Sequence, residues 1–261
     1  MPEDTPSGSL TELFGLQGKR VLVTGGTSGI GLAIVEAFDG AGARVMTCSD
    51  READIAAFDV SNAAAILHPL SDKTAADELV SRCETELGGT IDILVCNAGI
   101  EGPAGPTGEA EEEAYGRVFD INLHSSYWLA ARCKDGMAAS GGGSIILMTS
   151  LSALRGNRMI GIYSMSKAAL CQMARNLAVE LGPRNIRANA IAPGLIETPF
   201  SRPLMANDAF IQRRLQATPL RRVGQPMEIA AAALFLAGRG GAFMTGQTLV
   251  IDGGTLVTDG S

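Results

Sequence analysis

The segment YSMSK, Tyr163 to Lys167, sets a phenol and an amine four residues apart. On a helix that spacing is a little over one turn, so both side chains share one face. A phenol ordinarily has a pKa of about 10, too high for easy proton exchange at neutral pH, but a neighbouring cation stabilises phenolate and lowers the value. The pair reads as a proton-transfer device or as surface residues at helical spacing. A second stretch, TGGTSGIG from Thr24 to Gly31, links an apolar run of strand length to an apolar run of helical period. Gly25, Gly29 and Gly31 let the backbone turn tightly and approach a pyrophosphate at a helix N-terminus, where free N–H groups attract anions. Any tight strand-to-helix turn also uses glycine, so the loop alone leaves both readings open.

The elements that must position these groups follow from periodicity. Short apolar runs alternate with longer stretches of helical period, the pattern of βαβ units around a parallel sheet covered on both faces. Seven strands are expected, near Arg20–Thr24, Arg44–Cys48, Ala64–His68, Ile91–Cys96, Ser144–Thr149, Arg187–Ala192 and Thr248–Ile251. The fold class is α/β, a doubly wound Rossmann-type sheet in one domain over residues 1–261, with residues 1–15 as a polar N-terminal extension. Two irregular stretches, EGPAGPTGEAEEE and GLIETPFSRPLMANDAF, follow strand carboxyl ends, where ligands bind in open α/β sheets. Residues 195–220, with Phe200, Leu204, Met205 and Phe210, read as an apolar flap over a substrate, or as a surface loop.

Bulk properties exclude several classes. The net charge of −7, without a basic block, argues against nucleic acid as a partner. The five cysteines lack a CxxC pair, which suggests neither a disulfide framework nor a zinc site, and His68 and His124 lack paired metal spacing. No metal is expected. The acidic, polar start is unlike a signal peptide, and the longest apolar run near the end is about half what a membrane helix needs. A cytoplasmic protein without membrane attachment is expected.

Taken together, TGxxxGxG near the start and YxxxK in the second half resemble the short-chain dehydrogenase/reductase family. The resemblance runs from LQGKRVLVTGG to TGQTLVIDGG through CNAG, DINL, MTSLS, YSMSK and IAPGLIET in the family's order. It implies a tetrad of Asn122, Ser150, Tyr163 and Lys167. Ser150, thirteen residues before the tyrosine, is the implied serine rather than Thr149 or Ser152. Tyr163 is then the general acid/base, Ser150 holds the reacting oxygen, Asn122 helps hold a water linked to the lysine, and Lys167 bonds the nicotinamide ribose. The resemblance also implies cofactor contacts at Thr27, Ser28, Ile30 and the three glycines of the turn, at Asn97, Ala98 and Gly99, and at Pro193, Gly194, Ile196 and Thr198. Cys96 departs from the usual asparagine. Related enzymes are tetramers, which fits the excess apolar character of SSYWLAARCKDGMAA and ALCQMARNLAVEL.

Two points need a choice. The family's adenine contact could lie in FDVSN, but that leaves no room for a helix between strands two and three; placing strand three at AAILH makes Leu70 the adenine neighbour and Asp59 a helix-terminal residue. After strand two the chain reads CSDRE, and the resemblance places Ser49 where the family's NAD-selecting acid usually falls and Asp50 where NADP enzymes often carry Arg, with Arg51 next, all toward the adenosine ribose. Repulsion between Asp50 and a 2′-phosphate favours NAD, while Arg51 keeps NADP open. The leading function is an NAD(P)-dependent oxidoreductase interconverting a secondary alcohol and a ketone on a small molecule. A 3-oxoacyl-[acyl-carrier-protein] reductase, with Arg155 and Arg158 at its entrance, is the second reading, and a non-catalytic nucleotide-binding regulator the third.

Overall fold

The seven apolar runs form one parallel sheet in the computed structural model, which describes residues 8–258. The strands are β1 Arg20–Thr24, β2 Arg44–Ser49, β3 Ala63–Leu67, β4 Ile93–Cys96, β5 Gly143–Met148, β6 Ile186–Pro193 and β7 Thr248–Ile251, in the order β3-β2-β1-β4-β5-β6-β7. Each lies within two residues of its expected bounds. Side chains alternate between the two faces along each strand, and both faces are buried. Leu22, Leu94, Ile145 and Leu147 pack on one side with α4 Lys73–Leu87, α6 Ser125–Ala139 and α7 Gly161–Leu181. Val21, Val23, Val95 and Ile146 pack on the other with α2 Gly29–Gly40 and α10 Pro226–Ala237. That double burial is why these strands read as continuous apolar runs.

The shorter helices complete the chain: α1 Leu10–Phe14, α3 Glu52–Ala56, α5 Glu112–Phe119, α8 Arg202–Met205 and α9 Asp208–Gln216. Within the expected extension, residues 1–7 lie outside the described residues, and the rest is structured. The Ser9 side chain caps α1, Leu16 is buried, and Glu12 stands 3.8 Å from Arg239, so this segment is docked on the protein. Asp59 also departs from expectation. The helix after β2 ends at Ala56, so Asp59 lies exposed in the turn that leads into β3. Pairing of Ala63 with Val45 fixes where that strand must begin, and the short helix leaves the turn to fill the gap.

β1 and β4 are neighbours although the connections from them run in opposite directions, which makes their carboxyl ends the switch point of the sheet. Their amino ends are joined by a forked ion pair: Arg20 Nε and Nη2 donate to Asp92 at 2.8 and 3.1 Å, and the Arg20 amide donates to it at 2.9 Å. Burial acts to raise the Asp92 carboxyl, but these bonds and the guanidinium charge outweigh it and hold the pKa below its ordinary value.

Candidate active site

At the switch point, the carboxyl ends of the strands open into a cavity of about 420 Å³. Its floor begins where β1 turns into α2. The Thr24 hydroxyl accepts the amides of Asn97 and Ala98, both at 3.1 Å, and the Asn97 side chain donates to the carbonyls of Thr24 and Gly25 at 3.0 Å. These four bonds clamp the ends of β1 and β4 together. Gly25 has φ +64°, and a side-chain carbon there would lie 3.1 Å from the Ala98 backbone, so the turn needs glycine. Ser28, the N-cap of α2, makes no side-chain cap bond, which leaves the first N–H groups of the helix facing the cavity mouth. Leading N–H groups of that kind, beside a close-approaching glycine backbone, suit a pyrophosphate.

The residues expected to hold the cofactor border this same cavity, Arg51 excepted. Arg51 is the N-cap residue of α3, and its side chain is 71% exposed, 3.8 Å from Asp54. Sequence reasoning passed over Asp54. It lines the cavity beside Asp50 and accepts a hydrogen bond from Ser49 Oγ at 2.9 Å. Nothing in its local sequence separates it from the other exposed polar residues of that short helix. His68 also borders the cavity, yet it is buried with Nε2 at 2.7 Å from the Ala75 carbonyl oxygen, a structural engagement.

At the other end stand Ser150, at the end of β5, and Tyr163 and Lys167, on the first turns of α7. Of the hydroxyls near Ser150, that of Thr149 is committed to the Lys167 carbonyl at 2.6 Å, and that of Ser152 donates to Ser150 at 2.9 Å. Lys167 is buried, and its ammonium donates to the Met148 carbonyl at 2.9 Å. It lies 5.7 Å from the centroid of the Tyr163 ring. A side-chain carbon at Gly99 would come within 3.0 Å of Lys167 Nζ and 3.2 Å of Asn122 Oδ1, so only glycine leaves both in place. Asn122 stands back from the cavity. It is fully buried where α5 gives way to a widened π turn, Asp120–His124, before α6. Its side chain accepts from the Ile100 amide at 2.8 Å and donates to the Ile100 carbonyl at 2.9 Å and Ser166 Oγ at 3.0 Å, joining the loop after β4 to α7.

The electrostatics differ from the sequence expectation. Part of the Tyr163 ring is open to the cavity, yet the group sits deep enough for desolvation to push its pKa up to about 12, with the Ser150 hydroxyl pulling it down and Glu101 adding to the rise. Burial sets a direction opposite to the lowering expected from lysine, because spacing reveals a neighbour but not the depth at which the pair is held. Lys167 itself is brought down by burial to about 8.

The segment over this end comes from the chain after β6. Phe200, Leu204 and Phe210 line the cavity, and the Phe200 and Tyr163 ring centroids are 6.3 Å apart. Met205, expected with them, instead meets Ser201, whose hydroxyl lies 3.5 Å from its sulfur. Cys96 is buried, and desolvation pushes its thiol up to about 12, which makes it an inert core residue.

This site has counterparts. A family model described as Enoyl-(Acyl carrier protein) reductase matches residues 25–255. The chain is 36% identical over 253 residues to a tropinone reductase homologue of Arabidopsis thaliana, covering 94% of this chain and 81% of that one. It is 34% identical over 247 residues to dehydrogenase/reductase SDR family member 4 of Sus scrofa, covering 92% and 88% respectively. A 7α-hydroxysteroid dehydrogenase complexed with NADH and 7-oxo glycochenodeoxycholic acid superposes with a TM-score of 0.88 at 34% identity, covering 94% of this chain and 96% of that one. A gluconate 5-dehydrogenase from Burkholderia cenocepacia, in complex with NADP and tartrate, superposes with a TM-score of 0.88 at 29% identity, covering 96% and 100%. The chain belongs to the short-chain dehydrogenase/reductase family. It is an oxidoreductase that acts on CH–OH groups with a nicotinamide cofactor.

The buried ammonium leads to a test. Because the folded chain holds the Lys167 pKa near 8, below its ordinary 10.5, the unfolded chain binds more protons between those values, and stability gains from this group as pH rises from about 8 to about 10.5. Lys167→Met removes both the desolvation cost and that pH dependence. Without cofactor at pH 7 the variant is expected to be more stable by about 1–3 kcal/mol, and the wild-type minus variant difference shrinks toward pH 10.5. Urea unfolding across this range measures it, and a less stable variant at every pH counts against the buried cation.

Proposed function

We propose that Tyr163 moves the proton and Ser150 steadies the oxygen as this chain interconverts a secondary alcohol and a ketone. The observation that carries the reading is the convergence of Ser150, Tyr163 and Lys167 on the end of one cavity whose other end is the glycine-rich turn. A nicotinamide dinucleotide bound there supplies or accepts hydride at its C4. With its pKa raised to about 12, Tyr163 is protonated at neutral pH and donates to a carbonyl oxygen during reduction. The phenolate left behind is disfavoured by burial, and the Lys167 cation at 5.7 Å from the ring offsets that cost. Ser150 donates a hydrogen bond to the same oxygen as its charge grows. Asn122 positions this machinery through Ile100 and Ser166. The flap of residues 195–220 covers the substrate with Phe200, Leu204 and Phe210.

The acyl-carrier-protein reading is second, favoured by the description of the matched family model. Arg158 is exposed as that partner would need, but Arg155 lines the cavity and serves a small molecule better. We also read the chain as a cytoplasmic enzyme; among the described residues no helix is long and apolar enough to cross a membrane. For assembly, a homotetramer is supported by apolar side chains left exposed on α6 and α7 and near β7: Tyr127, Val179 and Phe243. Light scattering at micromolar concentration is expected to give four times the chain mass, and a monomer overturns this.

NAD is the favoured cofactor because Asp50 and Asp54 both border the adenosine end, while Arg51 is turned toward Asp54. Two carboxylates oppose a 2′-phosphate more strongly than one. Asp50→Arg is expected to raise the kcat/KM ratio of NADP over NAD by about tenfold or more, with one substrate at fixed ionic strength. An unchanged ratio would remove the main support for NAD. The catalytic assignment is tested by Tyr163→Phe, which keeps the ring and removes the transferable proton. Cofactor binding is expected to persist while kcat falls about 10² to 10⁴-fold; near-normal turnover would sink the mechanism.

A further inference from the structure

The substrate end of the cavity carries charge that the alcohol–ketone chemistry does not use. Arg155, just past the turn Leu151–Leu154, and Arg214, on α9, come from segments far apart in sequence and line the same cavity as Ser150 and Tyr163. Among the described residues neither guanidinium has a hydrogen-bond or ion-pair partner; Arg214 only rests over the Phe210 ring, 5.6 Å from its centroid. Besides Lys167, which is engaged with the Met148 carbonyl, the other charged residue at this end is Glu101, on the loop after β4. It has no ion-pair partner among the described residues either, and it acts on the Tyr163 phenol. Burial and the charge of Arg155 both lower the pKa of Arg214, as expected for two cations facing one partly dry space. Arginine does not relieve that repulsion by losing its proton, because a guanidinium keeps its charge in a protein. An anion between the two guanidiniums does relieve it.

Two further features define the ligand. Asn157 also borders the cavity; its Oδ1 accepts the amides of Met159 and Ile160 at 3.2 and 3.3 Å, which orients its NH₂ group as a remaining donor. Ile160, Phe200, Leu204 and Phe210 line the same end and offer apolar surface to the body of a substrate. In a chain of net charge −7, two arginines facing an apolar cavity mark a local reversal of sign.

We infer that the site takes a carboxylate-bearing ketone or alcohol, with an apolar body and its carboxylate set away from the reacting carbon, held by Arg155 and Arg214 with Asn157 beside them. The position of the reacting carbon rests on the alcohol–ketone reading above. The planar forks of arginine match the two oxygens of a carboxylate, and a desolvated pair of this kind gains more than an exposed one.

The test compares 4-oxocyclohexanecarboxylate and 4-acetylbenzoate with their methyl esters, each with a fixed reduced cofactor, in the wild type, Arg155→Gln, Arg214→Gln and the double variant. Wild-type kcat/KM is expected to favour each acid over its ester by tenfold or more, carried mainly by KM. Each single variant cuts that acid-to-ester ratio several-fold, the double variant removes it, and Arg→Lys at either site restores part. Calorimetric titration of 4-acetylbenzoate into the cofactor-loaded protein reads the same preference without turnover. Equal handling of acid and ester in the wild type, or a preference that survives in the double variant, overturns the anion site and leaves the alcohol–ketone reading standing. Binding of the acid that disappears in the double variant, with no turnover of any ketone, upholds the anion site and defeats the alcohol–ketone reading instead.

Discussion

Lys167 carries an ammonium group into the interior, and much of the site is arranged around the cost of that burial. A lone cation in a dry environment loses several kcal/mol of hydration unless donors and acceptors are set around it. Here the Met148 carbonyl at the end of β5 accepts a hydrogen bond from it, and the Gly99 backbone must come close without a side chain. The loop bearing Gly99 is in turn held by Asn122 through Ile100, and its start is clamped to β1 by Thr24 and Asn97. The positions of β1, β4, β5 and α7 are thus tied to one charged group. In the proposed reaction that cation stands where a negatively charged oxygen has to be tolerated, 5.7 Å from the Tyr163 ring.

The same arrangement explains how opposite electrostatic demands coexist in one cavity. In the proposed reading the adenosine end presents Asp50 and Asp54, the chemical end a buried cation and a protonated phenol, and the substrate end two arginines, all lining one cavity. These groups are carried by different helices and loops at the sheet's carboxyl edge, so each can be supplied separately. The parallel sheet, enclosed by two layers of helices, fixes their relative positions.

Much of this was legible in the amino-acid order because the strands are buried on both faces and their apolar runs are unambiguous. β1 and β7 have the expected bounds. The glycine turn and the Tyr163–Lys167 spacing were legible because each motif is local and constrained by backbone geometry. What escaped depends on depth or on distant approach. The Tyr163 pKa moved opposite to expectation because burial is a property of the whole fold. Arg214 could not be connected with Arg155 because α9 must return over the cavity before they meet. Asp54 went unmarked because its helix looks like any exposed turn, and Asp59 was misplaced because only strand register reveals how short that helix is.

That helix, α3, has no buried residue, and it contributes nothing to either of the two apolar layers. A change of charge at Asp54 or its neighbours therefore meets little resistance from packing, unlike a change at Gly99 or Lys167. The two ends of the cavity thus differ in how freely the fold lets them change. On the proposed reading, the preference for one reducing currency over the other is set where the fold yields most easily, and the proton-handling residues where it yields least.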